Sequence, residues 1–234
     1  MISIPLFLSK PHPCSYLDDI AAQSAFVHPA YPITTEIYGQ LLEQGFRRSG
    51  DDVYIPQCGE CNACVPARIE VKHFRPKRKQ KRCLNKNRDT QAVIKPAIYD
   101  PAHYAMYLRY QNTRHNAGSM ANASPDDYVN FLGSSWCNTC FVEFSIDGEL
   151  AAIAVVDQFA NAWSAVYTFF EPKFADYSLG VYAVLWQIEQ ARLQRKEYLY
   201  LGFWIKDCQK MAYKMDYQPL QLLQNRVWTA AEAG

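Results

Sequence analysis

The stretch Phe141-Val-Glu-Phe-Ser-Ile146, followed by Leu150-Ala-Ala-Ile-Ala-Val-Val156 and Trp163-Ser-Ala-Val-Tyr-Thr-Phe-Phe170, decides the fold class. Each run is apolar and rich in β-branched or aromatic residues, which favours a strand. Asp147-Gly148 separates the first two runs and Asn161-Ala162 precedes the third. Because such short turn sequences connect antiparallel neighbours, we predict a three-stranded antiparallel meander.

A helix and a returning strand follow the meander. Residues 180–194 are amphipathic, beginning at Gly180, and Tyr198-Leu-Tyr-Leu-Gly202 is typical of a strand. The combination predicts an α+β fold class. Its element order resembles the acetyltransferase-like fold, known as the GNAT fold, in which a meander feeds a helix whose N-terminus receives the ligand.

The first half of the chain predicts shorter elements. Residues 34–45 have a hydroxyl for an N-cap, apolar residues at helical spacing and a terminal glycine, and residues 46–56 are extended. Residues 67–74 alternate as in a strand, and residues 101–116 begin with proline as a helix does. Ser124-Pro125-Asp126-Asp127 predicts the capped start of another helix.

The composition is that of a globular protein. The chain has 234 residues, 49% of them hydrophobic, and a formal net charge of +1. No run of about 18 apolar residues could span a bilayer, and the N-terminus lacks a basic leader, so no membrane partner is expected. Eight cysteines without a secretory signal indicate a reducing cytoplasm. A change of pattern near residues 95 to 100 predicts an N-terminal α+β domain, 1–97, and a GNAT-like domain, 98–234.

Three cysteines at C-x-x-C-x-x-C spacing, Cys58, Cys61 and Cys64, form a loop before the predicted strand at 67–74. With a fourth thiolate they would suit zinc or an iron–sulfur cluster, and Cys14 and Cys83 compete to be that ligand. The alternative is a packed loop of reduced thiols.

A basic segment follows the cysteine loop, with nine Lys or Arg and no acid between Lys72 and Arg88. Such a run indicates contact with the phosphates of a nucleic acid, and the alternative is a solvated surface. The residues expected to bind are Lys77, Arg78, Lys79, Lys81 and Arg82.

Motifs along nearly the whole chain, from Cys14 to Tyr217, carry a family resemblance. They are Gly45-Phe-Arg-Arg-Ser-Gly50, Tyr54-Ile-Pro-Gln-Cys58, Cys61-Asn-Ala-Cys64-Val-Pro-Ala-Arg68, Arg109-Tyr110, Arg114-His115, Ser164-Ala-Val-Tyr-Thr-Phe169, Ser178-Leu-Gly180 and Tyr198-Leu-Tyr-Leu-Gly-Phe-Trp204. Together they resemble the bacterial branch of the aminoacyl-tRNA-protein transferases.

The resemblance implies a reaction and its partners. Leucine would move from leucyl-tRNA to the α-amino group of proteins that begin with Asp or Glu, marking them for degradation, without DNA as a partner. The aminoacyl ester is already activated, so no cofactor is expected for the chemistry itself. The resemblance also favours Cys14 as the fourth member of the cysteine loop.

Acceptor recognition calls for arginine, because its guanidinium can pair bidentately with a carboxylate. Arg47, Arg48 and Arg68 lie in the parts that resemble the family and are the expected acceptor-binding residues. Each could instead form a structural salt bridge.

The remaining site residues follow from the acetyltransferase-like order. Ser178 and Gly180 begin the helix after the meander, where free N–H groups could seat the aminoacyl end together with Trp204 and Tyr213. Catalytic roles are assigned to Asp157 and Tyr167. Two lysines, Lys210 and Lys214, are expected to reach the tRNA end.

Three alternatives stay open at this point. An arginyltransferase with the same acceptors would share the whole pattern, since donor identity depends on the aminoacyl pocket. An acyltransferase that uses acetyl-CoA would fit the second half but would explain neither the cysteine loop nor the basic segment. A non-enzymatic zinc-ribbon RNA-binding module would explain only those two features.

Overall fold

The structure is a computed structural model that describes residues 4–114 and 123–231. Its strands are β1 (Leu6–Leu8), β2 (His12–Pro13), β3 (Ala21–Ala22), β4 (Ser24–Val27), β5 (Arg47–Ser49), β6 (Asp52–Pro56), β7 (Val65–Glu70), β8 (Gln91–Pro96), β9 (Thr139–Ile146), β10 (Glu149–Gln158), β11 (Ala162–Phe170), β12 (Tyr198–Trp204), β13 (Leu220–Gln224) and β14 (Val227–Ala230). Its helices are α1 (Thr35–Glu43), α2 (Arg78–Lys86), α3 (Pro101–Arg114), α4 (Pro125–Leu132), α5 (Leu179–Leu193) and α6 (Gln209–Ala212). Short 3₁₀ helices precede α5 (Pro172–Tyr177) and follow α6 (Tyr213–Asp216).

Local sequence signals set the starts of two helices, as predicted. The Thr34 side chain accepts a hydrogen bond from the Ile37 N–H at the start of α1. Ser124 and Asp127 form a reciprocal capping box before α4, which satisfies N–H groups that the first helical turn leaves free. Helix α3 is confirmed through Arg114. Its predicted continuation, residues 115–116, lies outside the described residues, as does the His115 of the family motif.

The predicted meander is confirmed as β9, β10 and β11. Strand β10 pairs antiparallel with both neighbours. Asp147 and Gly148 make the tight turn between β9 and β10, with φ angles of 51° and 81°. Gly148 suits this left-handed conformation because it has no Cβ to clash. A β-bulge between Val155 and Val156 shifts the register against β11 and bends the meander there.

The meander belongs to an eight-stranded sheet in the order β14-β13-β7-β12-β11-β10-β9-β8. Strands β11 and β12 pair in parallel, and α5 makes the crossover that a parallel pair requires. Strands β7 and β8 precede residue 97, so the sheet takes strands from both sides of the predicted domain division. The division stays a prediction, whereas the mixed helix and sheet architecture is confirmed.

The two faces of the eight-stranded sheet carry separate apolar clusters. Val142 and Phe144 pack in the cluster that includes α5. Phe141, Ile153 and Val155 pack in a second cluster with residues of α3 and α4. The split follows from strand geometry, because successive side chains point to opposite faces. The sheet is therefore covered by helices on both sides along the meander.

A smaller sheet, in the order β1-β4-β6-β5, carries the first half of the site. Strands β5 and β6 form a hairpin that turns at Gly50, where φ is +59°. Helix α1 contributes Tyr38, Leu41 and Leu42 to the apolar cluster beside this hairpin. In the described part of the chain, no helix has the length and apolar character needed to cross a bilayer.

Candidate active site

Strands β11 and β12 separate after a short parallel contact. Only residues 162–164 pair with residues 198–200, although β11 continues to Phe170 and β12 to Trp204. Beyond this contact, β11 remains paired with β10, and β12 remains paired with β7. The strands therefore open a wedge between residues 165–170 and 201–204, which we call the strand gap.

Arg47, on β5, places its guanidinium at the closed end of the strand gap. It donates to Ser164 Oγ at 2.9 Å and to the Ala165 carbonyl at 3.1 Å. On the β12 side lies Gly202, where an added Cβ would sit 3.6 Å from Arg47 Nε. A guanidinium has five N–H donors. Because the described residues accept two hydrogen bonds from Arg47, three of its N–H groups have no partner there.

Arg48, the next residue of β5, forms a buried ion pair within the protein. Its Nε and Nη2 pair with both carboxylate oxygens of Asp157 at 2.7 and 2.6 Å, and both side chains are completely buried. Its other bonds go to three backbone carbonyls and to the Thr139 hydroxyl. In this arrangement the pair offers no exposed side-chain atom to a substrate. The contact gives Arg48 and Asp157 a structural role, and their acceptor-binding and catalytic roles stay predictions.

Arg68, on β7, is held between aromatic rings. Its guanidinium carbon lies 3.6 Å from the Tyr198 ring centroid and 4.3 Å from that of Trp228. Its Nε donates to Gln221 Oε1 at 2.7 Å, and Nη1 donates to the Tyr200 hydroxyl at 3.3 Å. Cation–π contacts of this kind stabilise a buried guanidinium. They account for the burial of Arg68, and its acceptor-binding role stays a prediction.

The two lysines predicted to reach the tRNA end differ in exposure. Lys210 is exposed on α6, as a phosphate contact requires. Lys214 is buried, and its Nζ donates to the Phe203 carbonyl at 2.5 Å and to Met211 Sδ at 3.3 Å. Burial, and next the positive charge of Arg47, lower the pKa of Lys214 to about 7. Lys214 therefore lies beside the strand gap with its Nζ turned to protein atoms, and its contact with the tRNA end stays a prediction.

The basic segment forms α2 with its charges in solvent. Gln80 is the buried residue of this helix, and its Nε2 donates to the Asp216 carbonyl at 3.2 Å. The predicted tRNA-binding residues are all exposed, namely Lys77, Arg78, Lys79, Lys81 and Arg82. None of these five forms an ion pair within residues 4–114 and 123–231. Their charge is therefore free to meet phosphates.

Helix α2 is attached to the start of α5. Asn87 Nδ2 donates to the Tyr177 carbonyl at 2.9 Å, and Cys83 Sγ donates to the Ser178 carbonyl at 3.8 Å. Ser178 is exposed, with φ 54° and ψ 44°, and Gly180 follows in the first turn of α5. The structure thus brings the basic helix next to the predicted seat of the aminoacyl end.

The three aromatic residues predicted for the site lie in different environments. Tyr167 packs on the side of α3 and α4, where its hydroxyl accepts from Gln111 Nε2 at 3.3 Å and its ring meets Phe131. Burial raises the pKa of Tyr167, so its hydroxyl stays protonated. Trp204 is half-buried, and its Nε1 has no partner among the described residues. Tyr213 is exposed on the 3₁₀ helix that contains Lys214.

The four predicted metal ligands, Cys14, Cys58, Cys61 and Cys64, line one cleft of about 710 Å³. Cys83 lies on α2 instead, so Cys14 is the thiol that the structure brings to the loop.

A metal would need these thiols close together and deprotonated. Burial, and next the charge of Cys14, raise the pKa of Cys64 to about 11. Among the described residues, no group of three or more His, Cys, Asp or Glu could hold a metal ion. A metal on the cysteine loop, zinc or an iron–sulfur cluster, therefore stays a prediction.

Sequence reasoning assigned no role to Ser164 or Gly202, although both border the Arg47 guanidinium. Gly202 did carry a signal. It interrupts a strand pattern, and a glycine inside a strand often marks the close approach of another group. Ser164 begins one of the motifs that carry the family resemblance, but its residue type gives no role, because a serine in a strand is common on any sheet.

Comparison with known proteins covers both halves of the chain. Residues 12–82 match the family model described as arginine-tRNA-protein transferase, N terminus, and residues 102–224 match that of its C terminus. An aspartate/glutamate leucyltransferase of Saccharophagus degradans is 46% identical over 226 residues, 96% of each chain. That of Alcanivorax borkumensis is 46% identical and covers 97% of this chain and 93% of its own. Among solved structures, FemX aligns over 89% of this chain and 81% of its own, with 8% identity and a TM-score of 0.48.

Proposed function

This chain belongs to the arginine-tRNA-protein transferase family, and on that premise we propose that it transfers leucine from leucyl-tRNA to the α-amino group of proteins that begin with Asp or Glu. It is an aminoacyltransferase. The observation that carries the proposal is the full-length match, at 43 to 46% identity, to aspartate/glutamate leucyltransferases. The alternatives of an acetyl-CoA enzyme and a zinc-ribbon module are set aside. A new N-terminal leucine would mark the product for degradation in the cytoplasm.

We assign the second half of the chain to a GNAT-like fold. Its support is the antiparallel meander β9 to β11, followed by α5 and by β12 parallel to β11. The two parallel strands part beside the start of α5, which is where such folds receive the ligand. The aminoacyl end of the tRNA is therefore assigned to the open side of the strand gap, near Ser178, Gly180, Trp204 and Tyr213.

The tRNA body is assigned to α2. The support is an exposed basic helix whose buried face bonds to the backbone of Tyr177 and Ser178. A tRNA held on this helix would have its acceptor end within reach of the start of α5. Electrostatic contact with phosphates supplies affinity that falls steeply with salt.

The reaction needs orientation more than a strong base. An α-amino group has a pKa of roughly 7.7 to 8.0, so a useful fraction is a neutral nucleophile near neutral pH. Its nitrogen attacks the ester carbonyl carbon and a C–N bond forms. The C–O bond to the ribose breaks, and the ribose oxygen leaves with the electron pair and takes up the proton that the amine loses. Holding the two reactants in attack geometry can supply about 7 to 11 kcal/mol.

Metal on the cysteine loop is a separate part of the proposal. Its support is that four thiols line one cleft, on a loop without regular secondary structure that could rearrange around a metal. Zinc or iron near one site per chain after anaerobic purification would support it. Absence of both metals, with unchanged stability in Cys58→Ala, would leave a packed loop.

A transfer assay tests the function. Purified protein is incubated with radiolabelled leucyl-tRNA and a peptide that begins with Asp, and label in the peptide is measured. Transfer of leucine is the expected result, with a peptide that begins with Lys as the negative control. Transfer from arginyl-tRNA but not from leucyl-tRNA would make the protein an arginyltransferase, and no transfer from either donor would refute the proposal.

A further inference from the structure

Two cations lie beside the strand gap without an anionic partner. Arg47 is 8% exposed and Lys214 is 3% exposed. Neither forms an ion pair with any group that the structure describes. Buried charges are normally paired, because removing a lone charge from water is costly. A buried lysine can meet this cost by a lowered pKa, as Lys214 does, whereas a guanidinium stays protonated. Arg47 is therefore the group that calls for an anion from outside the chain.

Arg47 and Arg48 are neighbours on β5, but they differ in how many of their N–H donors are already hydrogen-bonded. Arg48 has a buried carboxylate on two of its nitrogens, and backbone or hydroxyl oxygens on its other donors. Among the residues that the structure describes, Arg47 donates to Ser164 Oγ and to the Ala165 carbonyl alone. The fold thus provides Asp157 as the partner of Arg48. It leaves three of the five N–H donors of Arg47 available for a ligand.

The surroundings of Arg47 favour a small planar anion. Ser164 beside it is completely buried. Gly202 presents no side chain to the guanidinium, which leaves room against its edge. A carboxylate matches the guanidinium fork bidentately. A phosphodiester would bring a ribose with it into the buried end of the gap, and the exposed cations of α2 are better placed for phosphates.

We infer that Arg47, beside Lys214, binds the side-chain carboxylate of the acceptor's first residue in the strand gap and so restricts acceptors to Asp and Glu. The inference rests on the proposed function. It replaces a set of three candidate arginines by one specificity-determining residue. The acceptor's α-amino group, one short side chain away from that carboxylate, would then face the ester at the open side of the gap.

The experiment compares two peptides that differ only in the first residue, Asp or the nearly isosteric and neutral Asn. The ratio of their kcat/KM values in leucine transfer measures carboxylate recognition. In Arg47→Gln, we expect the ratio to fall about ten- to a hundredfold, because a charge-assisted bond to the carboxylate is lost. The KM for leucyl-tRNA should stay within about twofold. Arg47→Lys keeps the charge and loses the fork, so its ratio should be intermediate.

Controls separate this role from folding and from the proposed function. Arg226→Gln removes an exposed arginine at the turn between β13 and β14 and should leave the ratio unchanged. If Arg47→Gln fails to fold by circular dichroism, the ratio in Arg47→Lys decides. An unchanged ratio in a folded Arg47 variant overturns the inference, and so does a raised KM for leucyl-tRNA with an unchanged ratio, which would place a tRNA phosphate on Arg47. Wild-type protein that uses neither peptide would refute the proposed function itself.

Discussion

Replacing Arg48 by methionine is expected to destabilise the whole protein. The change leaves the carboxylate of Asp157 fully buried, with the Thr139 hydroxyl and the Cys137 thiol still beside it. It also removes a donor from three backbone carbonyls. Removing one partner of a buried pair costs about 3–5 kcal/mol, because the other charge stays in a medium that solvates it poorly. That loss is a large part of the roughly 5–15 kcal/mol by which a domain is stable.

The free energy of unfolding in urea measures the effect, with two companion variants. Arg192→Met breaks a half-exposed ion pair with Glu189 and should cost no more than about 1 kcal/mol. Arg48→Met combined with Asp157→Leu removes both buried charges and should regain much of the about 3–5 kcal/mol that the single variant loses, because no unpaired charge stays buried. The single and double variants thus separate the loss of a contact from the burial of an unpaired charge.

Leucine transfer assays on the same proteins complete the test. The structural role predicts that activity follows the folded fraction, with no selective change in the KM of a peptide that begins with Asp. An Arg48→Met protein within about 1 kcal/mol of wild-type stability, but with a tenfold higher KM for that peptide, would refute the reasoning. Arg48 would then bind the acceptor after all.

Three further predictions follow from the site. Replacing Lys79, Lys81 and Arg82 by Glu should weaken leucyl-tRNA binding more than tenfold and reduce the slope of log affinity against log salt by about 2 to 3. The control is Lys10→Glu, which changes an exposed lysine on another segment. An unchanged slope in the triple variant would show that α2 does not bind the tRNA. Lys214 has a pKa of about 7, below its ordinary value near 10.4, so the unfolded chain binds more protons between these values and the Lys214 contribution to stability rises with pH. The unfolding free energy of wild type minus that of Lys214→Met should therefore rise by up to about 1.4 kcal/mol per pH unit from pH 7 to 10. If this difference does not change with pH, the pKa of Lys214 is not lowered in the folded protein. Gly202→Ala should cost about 1–2 kcal/mol because φ is +78°, and it should raise the acceptor KM because the added methyl group fills space beside the Arg47 guanidinium. Gly148→Ala, with φ +81° and open space around its Cβ, should be destabilised similarly with an unchanged KM, and equal KM values for the two variants would contradict the contact.

Much of the secondary structure could be predicted because its causes are local. Thr34 and Ser124 cap helices by bonding N–H groups three residues ahead, and Asp147-Gly148 turns the chain within two residues. The exposure of α2 could also be predicted, since a segment so rich in charge cannot be buried on most of its surface. These signals act over a few residues and need no tertiary context.

The pairing of strands was harder to predict. Strand β7 lies between β12 and β13, more than a hundred residues away along the chain, and β8 pairs at the far edge with β9. Hydrogen bonds between strands join backbone groups that every residue has, so sequence alone carries little information about which strands are neighbours. The same holds for the strand gap, which depends on where β11 and β12 stop pairing.

The basic segment, the meander and the family-wide motifs were determined by the sequence alone, because residue type and short-range spacing are sufficient to define them. Tertiary structure decided which charges are available for chemistry. Arg47 and Arg48 are identical residues at adjacent positions, yet one meets Asp157 and the other does not. Lys210 and Lys214 are four residues apart, yet one is in solvent and the other is buried beside the strand gap. The physical reason is that burial and counter-charges come from residues distant in sequence, and these set the pKa and the free donors of each side chain.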